Sequence, residues 1–146
     1  MSPEPGLRPL GEVVAHRISP DDTVRLAVLS GPDDGSPTTV VFEVWEPGGA
    51  QPPNSHPISV ETFVVLSGTG RAYCDEHERD IRAGDVLVLP AGSTHRIVNT
   101  SPTERLYTIT VMAPDDGFAA LIDRGPVVDL DPEDLAVLRT RFPSAP

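Results

Sequence analysis

Apolar residues in this chain come in short runs, and turn-forming residues always interrupt them. Runs at 12–18, 23–30, 38–46, 60–66, 70–76, 79–82, 85–89, 95–99 and 104–113 are rich in Val, Ile, Thr, Tyr and Phe. These residue types suit a pleated, half-buried surface. Between the runs stand Gly31-Pro32-Asp33-Asp34-Gly35, Pro47-Gly48-Gly49, Gly68-Thr69-Gly70, Ala83-Gly84-Asp85 and Pro90-Ala91-Gly92-Ser93. Glycine supplies positive φ, and proline presets φ while withholding a donor. Many short strands about ten residues apart predict an all-β sandwich or barrel. The alternation of strands with long helices that marks a βαβ protein is missing. The 12 Gly and 17 Pro follow no triplet period, which excludes collagen.

At 146 residues the chain has room for one domain. Residues 1–9 hold Pro3, Pro5 and Pro9 and are expected to form a flexible N-terminal arm. The strand pattern, and so the barrel, occupies 10–113. Residues 114–146 read as a helical tail. Phe118, Leu121 and Ile122 share one face of a short helix. Asp131, Pro132 and Glu133 read as an N-cap, a first helical proline and an acidic first turn. Leu135, Leu138 and Phe142 then form a stripe that would pack on the barrel or on a second subunit.

Charge narrows the partners. Twenty-two acids against eleven bases give a formal charge of −11, which disfavours nucleic acid and anionic membrane surfaces. All eleven bases are Arg, so Schiff-base catalysis and a P-loop lysine are excluded. The single cysteine, Cys74, can form no internal disulfide. No apolar run approaches the ~20 residues of a membrane span. Residues 1–6 show neither a basic nor an apolar signal-peptide region, so a cytoplasmic location is expected.

Of four histidines, His56 and His95 keep unusual company. His56 follows a Gly/Pro-rich loop and precedes Glu61 by five residues, while His95 closes the turn at 90–94. Two imidazoles and a carboxylate at the entrances of neighbouring strands can offer three ligands to one face of a transition metal. The same residues also fit ordinary surface or packing roles, and spacing alone leaves both readings open.

Two gapped patterns add to this. Gly48, Asn54-Ser55-His56, Glu61 and Gly68 resemble the first motif of the cupin superfamily: glycine, five residues, His-x-His, three or four residues, Glu, six residues, glycine. Gly84, Pro90, Gly92, His95 and Asn99 resemble its second motif. The segment 113–118 with the capped helix after it is similar to the ending of small quercetinase-like monocupins. The resemblance implies a cupin-type, jelly-roll-like β-barrel. It implies that His56, Glu61 and His95 ligate a divalent transition metal (Fe, Mn, Ni, Co or Zn), with Gly68, Gly84, Pro90, Gly92 and Asn99 shaping turns. It also implies a homodimer, with residues 10–18 as an exchanged or edge strand.

One position departs from the family pattern: its first motif histidine is Asn54 here. Three outcomes are open. The metal is held by three ligands and water; or Asn54 coordinates, or contacts a bound water or substrate; or the metal has been lost. Glu61 is also a candidate general base. Phe63 and Ile97 share strand parity with Glu61 and His95 and are candidates to line the substrate cavity. Arg71 and Tyr73 are candidates there too, for an anionic or phenolic group. An outward or core role accounts for these four equally well. His16 and His77 lie outside both motifs.

The function expected is a metal-dependent cupin enzyme on a small organic molecule, with a dioxygenase as one form. A non-redox isomerase, cyclase, dehydratase or lyase of natural-product metabolism is the alternative, as is a non-catalytic binder.

Overall fold

A computed structural model describes residues 2–141. The described residues form β1 (Ala15–His16), β2 (Val24–Ser30), β3 (Thr39–Trp45), β4 (Asn54–Ser55), β5 (Val60–Ser67), β6 (Thr69–Cys74), β7 (His77–Arg82), β8 (Val86–Leu89), β9 (Thr94–Asn99), β10 (Leu106–Ala113), helix α1 (Phe118–Asp123), β11 (Val127–Val128) and helix α2 (Pro132–Arg141). All pairings are antiparallel. One sheet runs β11-β1-β2-β3-β10-β5-β8, and the other β4-β9-β6-β7. This is the all-β barrel that the punctuated runs predict, of the cupin type that the motif resemblance implies.

The barrel interior is closed by Val24, Leu26, Val41, Trp45, Phe63, Val65 and Leu89 from the large sheet. Ala72, Ile81 and Ile97 meet them from the small one. The large sheet is apolar on its other face as well. Ala15, Ala27, Phe42, Val44, Leu66 and Tyr107 lie there under Leu138 of α2, with Phe42 and Tyr107 stacked at 5.9 Å. Alternation is therefore absent from β3, where six of seven residues are buried. In β7, on the outer edge of the small sheet, five of six are exposed.

Charge chemistry fixes α2 in place. Asp134 is fully buried. It receives Arg25 Nη1 at 2.6 Å, Tyr107 Oη at 2.9 Å and Arg105 Nη1 at 3.1 Å. Asp131 and Asp134 also cap reciprocally, each carboxylate accepting the other's backbone N–H at 3.0 and 2.9 Å. Phe142, the last member of the expected stripe, lies outside the described residues.

Four local expectations are corrected. The strand expected at 12–18 shrinks to β1, because residues 10–12 turn into a single 3-10 turn and Val14 stands exposed. β1 is not at the sheet edge: β11 pairs beyond it through Ala15–Val128 and His16–Val127. Asn99 turns the chain by hydrogen bonding and not by a left-handed backbone. It lies at the end of β9, its amide donating to Trp45, Glu46 and Glu104 carbonyls at 2.8–3.1 Å. Leu121 lines a cavity with Phe118 and is 38% exposed, while Ile122 alone of the three is fully buried.

Candidate metal centre and its pocket

The ligand candidates come from three elements. Glu61 is the second residue of β5 and points into the barrel, opposite Met112 and Leu89. His95 is the second residue of β9. His56 follows β4, whose two residues pair with β9 so that Asn54 faces His95 and Ser55 faces Thr94. That short pairing, absent from any strand pattern in the sequence, brings the first motif to the second. Gly92 strengthens the junction: its φ of +80° suits glycine, and its N–H donates to the His56 carbonyl at 2.7 Å.

His56, Glu61 and His95 each offer an atom within 4.8 Å of the others. Glu61 Oε2 lies 2.9 Å from His95 Nε2 and 3.3 Å from His56 Nε2. Glu61 and His95 are buried, and the His56 side chain is 24% exposed. Burial opposes ionisation of Glu61, but hydrogen bonds and charge from both imidazoles outweigh it and hold the carboxyl below its ordinary range. The Glu61 hydrogen bond raises His56 against the opposing effect of burial. Ser93 Oγ sits 3.4 Å from His95 Nδ1 and donates to the Pro90 carbonyl at 2.7 Å. The other ring nitrogen of His95 is therefore left to face Glu61. Two imidazoles and one carboxylate, converging through their ring Nε2 and carboxylate oxygens, fit a divalent transition metal.

The cluster opens into a cavity of about 220 Å³. Its walls include Leu26, Trp45, Phe118 and Leu121, with Glu43, Gln51 and Asn54 among the polar members. Helix α1 brings Phe118 edge-on to His56 at 6.4 Å. Asp115 anchors that helix by accepting Ala119 and Gly117 N–H groups at 2.8 and 2.9 Å. A larger cleft of about 600 Å³ lies between Arg8, Asp34, His16 and Arg124. It touches none of the three ligand candidates, so size does not mark the chemical site.

Asn54 lines the cavity beside His56, its Nδ2 donating to the Pro52 carbonyl at 3.1 Å. The other four lining candidates lie elsewhere. Phe63 and Ile97 point inward but are wholly buried in the core, Phe63 against Trp45 at 6.3 Å. Arg71 and Tyr73 face outward. Arg71 binds Asp80 and Glu78 across the β6–β7 hairpin, and Tyr73 sits under the Arg71 and Arg96 guanidinium groups. The inward residues of β6 are Gly70 and Ala72, because the interior is full there. A Cβ on Gly70 would lie 2.9 Å from the Val98 carbonyl. His77 is exposed and pairs with Glu76 at 3.1 Å.

Sequence reasoning missed Glu43. It is buried within β3 and accepts from Thr108 Oγ1 at 3.4 Å. Trp45 Nε1 donates to the same hydroxyl at 3.1 Å. The signal was available, since Glu43 is the one acid inside an apolar run, Val40 to Trp45, whose two parities are both hydrophobic. Burial first, then the charge of Glu61, pushes its carboxyl well above the ordinary range.

Comparison with known proteins agrees with this architecture. The family model described as "Cupin domain" matches residues 41–112. Germin-like protein 3-5 of Oryza sativa subsp. japonica is 30% identical over 84 residues, covering 50% of this chain and 36% of the relative. The chain thus spans about a third of the length of the curated relatives it matches. A Cupin 2 conserved barrel domain protein from Salinispora arenicola superposes with a TM-score of 0.59 at 29% identity, over 82% of this chain and 93% of that one. A predicted oxalate decarboxylase from Thermotoga maritima superposes with a TM-score of 0.64 at 24% identity, over 73% and 97%. No described helix is long and apolar enough to cross a membrane. With two sheets closed over one core and both motif loops meeting at a His/Glu/His cluster, the chain belongs to the cupin superfamily.

Proposed function

We propose that this cupin binds a divalent transition metal through His56, Glu61 and His95 and transforms a small organic molecule in the adjoining cavity. The observation that carries the reading is the convergence of three donor atoms within 4.8 Å at the side of a largely apolar pocket. When bound, such a metal supplies Lewis acidity and open positions that orient a substrate oxygen.

The chain's own residues do the rest. Ser93 holds the His95 ring. Glu61, kept ionised by its two imidazole neighbours, balances the metal's charge and is placed to take a proton from an acidic hydroxyl of the substrate. Phe118 and Leu121 screen the cluster from bulk water. His56 is the most exposed of the three donors and stands on the side from which a ligand arrives.

The test is metal content by ICP-MS after anaerobic loading with Fe(II), Mn(II), Ni(II) and Zn(II). About one ion per chain is expected for wild type, with loss in His56→Ala, Glu61→Ala and His95→Ala. A content near zero under every loading overturns the reading. Oxygen uptake by the iron-loaded protein then separates a dioxygenase from isomerase, cyclase, dehydratase or lyase chemistry, which proceeds without oxygen.

A further inference from the structure

Two residues of the cavity wall carry acceptors that no described residue pairs. Gln51 Oε1 and Asn54 Oδ1 are both buried and have no partner among the described residues, and both residues line the cavity. The Asn54 amide is oriented by its Nδ2 bond to the Pro52 carbonyl, because a flipped amide would set two acceptor oxygens against each other. Buried acceptors of this kind call for a donor.

Three further features describe what that donor belongs to. The remaining walls, among them Leu26, Trp45 and Phe118, are apolar. The lining holds Asp22, Glu43 and Glu61 and no arginine, so a carboxylate or phosphate group finds no guanidinium there. The volume of about 220 Å³ falls below the roughly 300–1,000 Å³ of clefts for drug-sized ligands.

We propose that Gln51, Asn54 and Glu43 form a hydroxyl-recognition subsite beside the His56–Glu61–His95 cluster, fitted to a compact, uncharged ligand with hydroxyl groups on a single-ring or short-chain apolar body. Gln51 and Asn54 accept from the hydroxyls. Glu43, held by the Thr108 hydroxyl, presents its carboxyl as a further partner. The inference rests on the reading of this cavity as the substrate site and does not require the metal.

The probe is resorcinol, which has two hydroxyls and is a poor chelator, titrated calorimetrically into EDTA-stripped protein. Comparators are 1,3-difluorobenzene, of similar shape without donors, and 3-hydroxybenzoate, which adds a charge. Resorcinol should bind at least about tenfold more tightly than either, the scale of one net hydrogen bond. Gln51→Leu, in a loop outside the strands, should weaken resorcinol about tenfold, and Asn54→Leu similarly. Absence of resorcinol binding to wild type, equal binding of 1,3-difluorobenzene, or an unchanged affinity in Gln51→Leu each overturns the subsite. Metal content measured on separately loaded samples keeps the two ideas apart. Selective resorcinol binding in a chain that takes no metal refutes only the metal reading, and a metal-loaded chain indifferent to hydroxyls refutes only the subsite.

Discussion

The backbone N–H of Gly92 and the carbonyl of His56 meet at 2.7 Å, so the loops carrying the two histidines form one hydrogen-bonded unit. Gly92 has a φ of +80°, and a Cβ there would meet nothing within 4 Å. The cost of a side chain is therefore conformational and not steric. Gly92→Ala should destabilise by about 1–2 kcal/mol, read as a lower melting temperature, and should weaken metal binding by loosening His56. Unchanged melting and unchanged metal affinity would show that the tie is dispensable.

Ser93 supports His95 without being placed to touch a metal. Outer-shell partners of this kind are worth about 10–100-fold in affinity. Ser93→Ala should weaken metal binding within that span in a competition titration, while His95→Ala abolishes it. Equal affinities for Ser93→Ala and wild type would remove Ser93 from the centre.

Asp134 is a buried carboxylate satisfied by Arg25, Arg105 and Tyr107. Removing it leaves the Arg25 guanidinium buried with only Glu46 and the Asp129 carbonyl as partners. Asp134→Ala should cost about 3–5 kcal/mol in denaturant unfolding and release α2 from Phe42 and Val44. A loss below about 1 kcal/mol, the scale of a surface pair, would contradict the clamp.

Glu43 gives stability a pH slope. An ordinary glutamate ionises near 4.5, and Glu43 in the fold ionises well above that. Between those values the folded chain keeps a proton that the unfolded chain has released, so stability falls as pH rises through the interval. Glu43→Gln removes this contribution. The variant should gain on wild type as pH rises from about 5 to about 7, and the two should differ least near about pH 4. Parallel melting curves across the range would mean that Glu43 is not the buried acid described.

Much of this was written in local chemistry. Gly84, Gly92 and the Pro90 turn announced where strands end, and the resemblance of two gapped motifs to the cupin pattern singled out His56, Glu61 and His95. What the residues could not announce was register. Whether Arg71 or Ala72 faces the interior depends on how full the barrel is beside Gly70, where Leu106 and Ile81 already occupy the space. The two-residue strand at Asn54–Ser55 has no periodicity to read, yet it brings His56 to His95. Glu43 stood out as the one acid in an apolar run, but a strand buried on both faces gives no parity to tell an inward acid from an outward one.

The contrast between β3, buried at six of seven positions, and β7, exposed at five of six, divides the chain into frozen and free text. Saturation mutagenesis should find intolerance concentrated in 39–45, relieved at the partly buried Val40 and for the Glu43→Gln exchange. The exposed side chains of β7 from Glu78 to Asp80, on a strand that pairs with β6 and not with the ligand-bearing β9, should accept substitution or a fluorophore. A laboratory wishing to tether or label this barrel has its handle there.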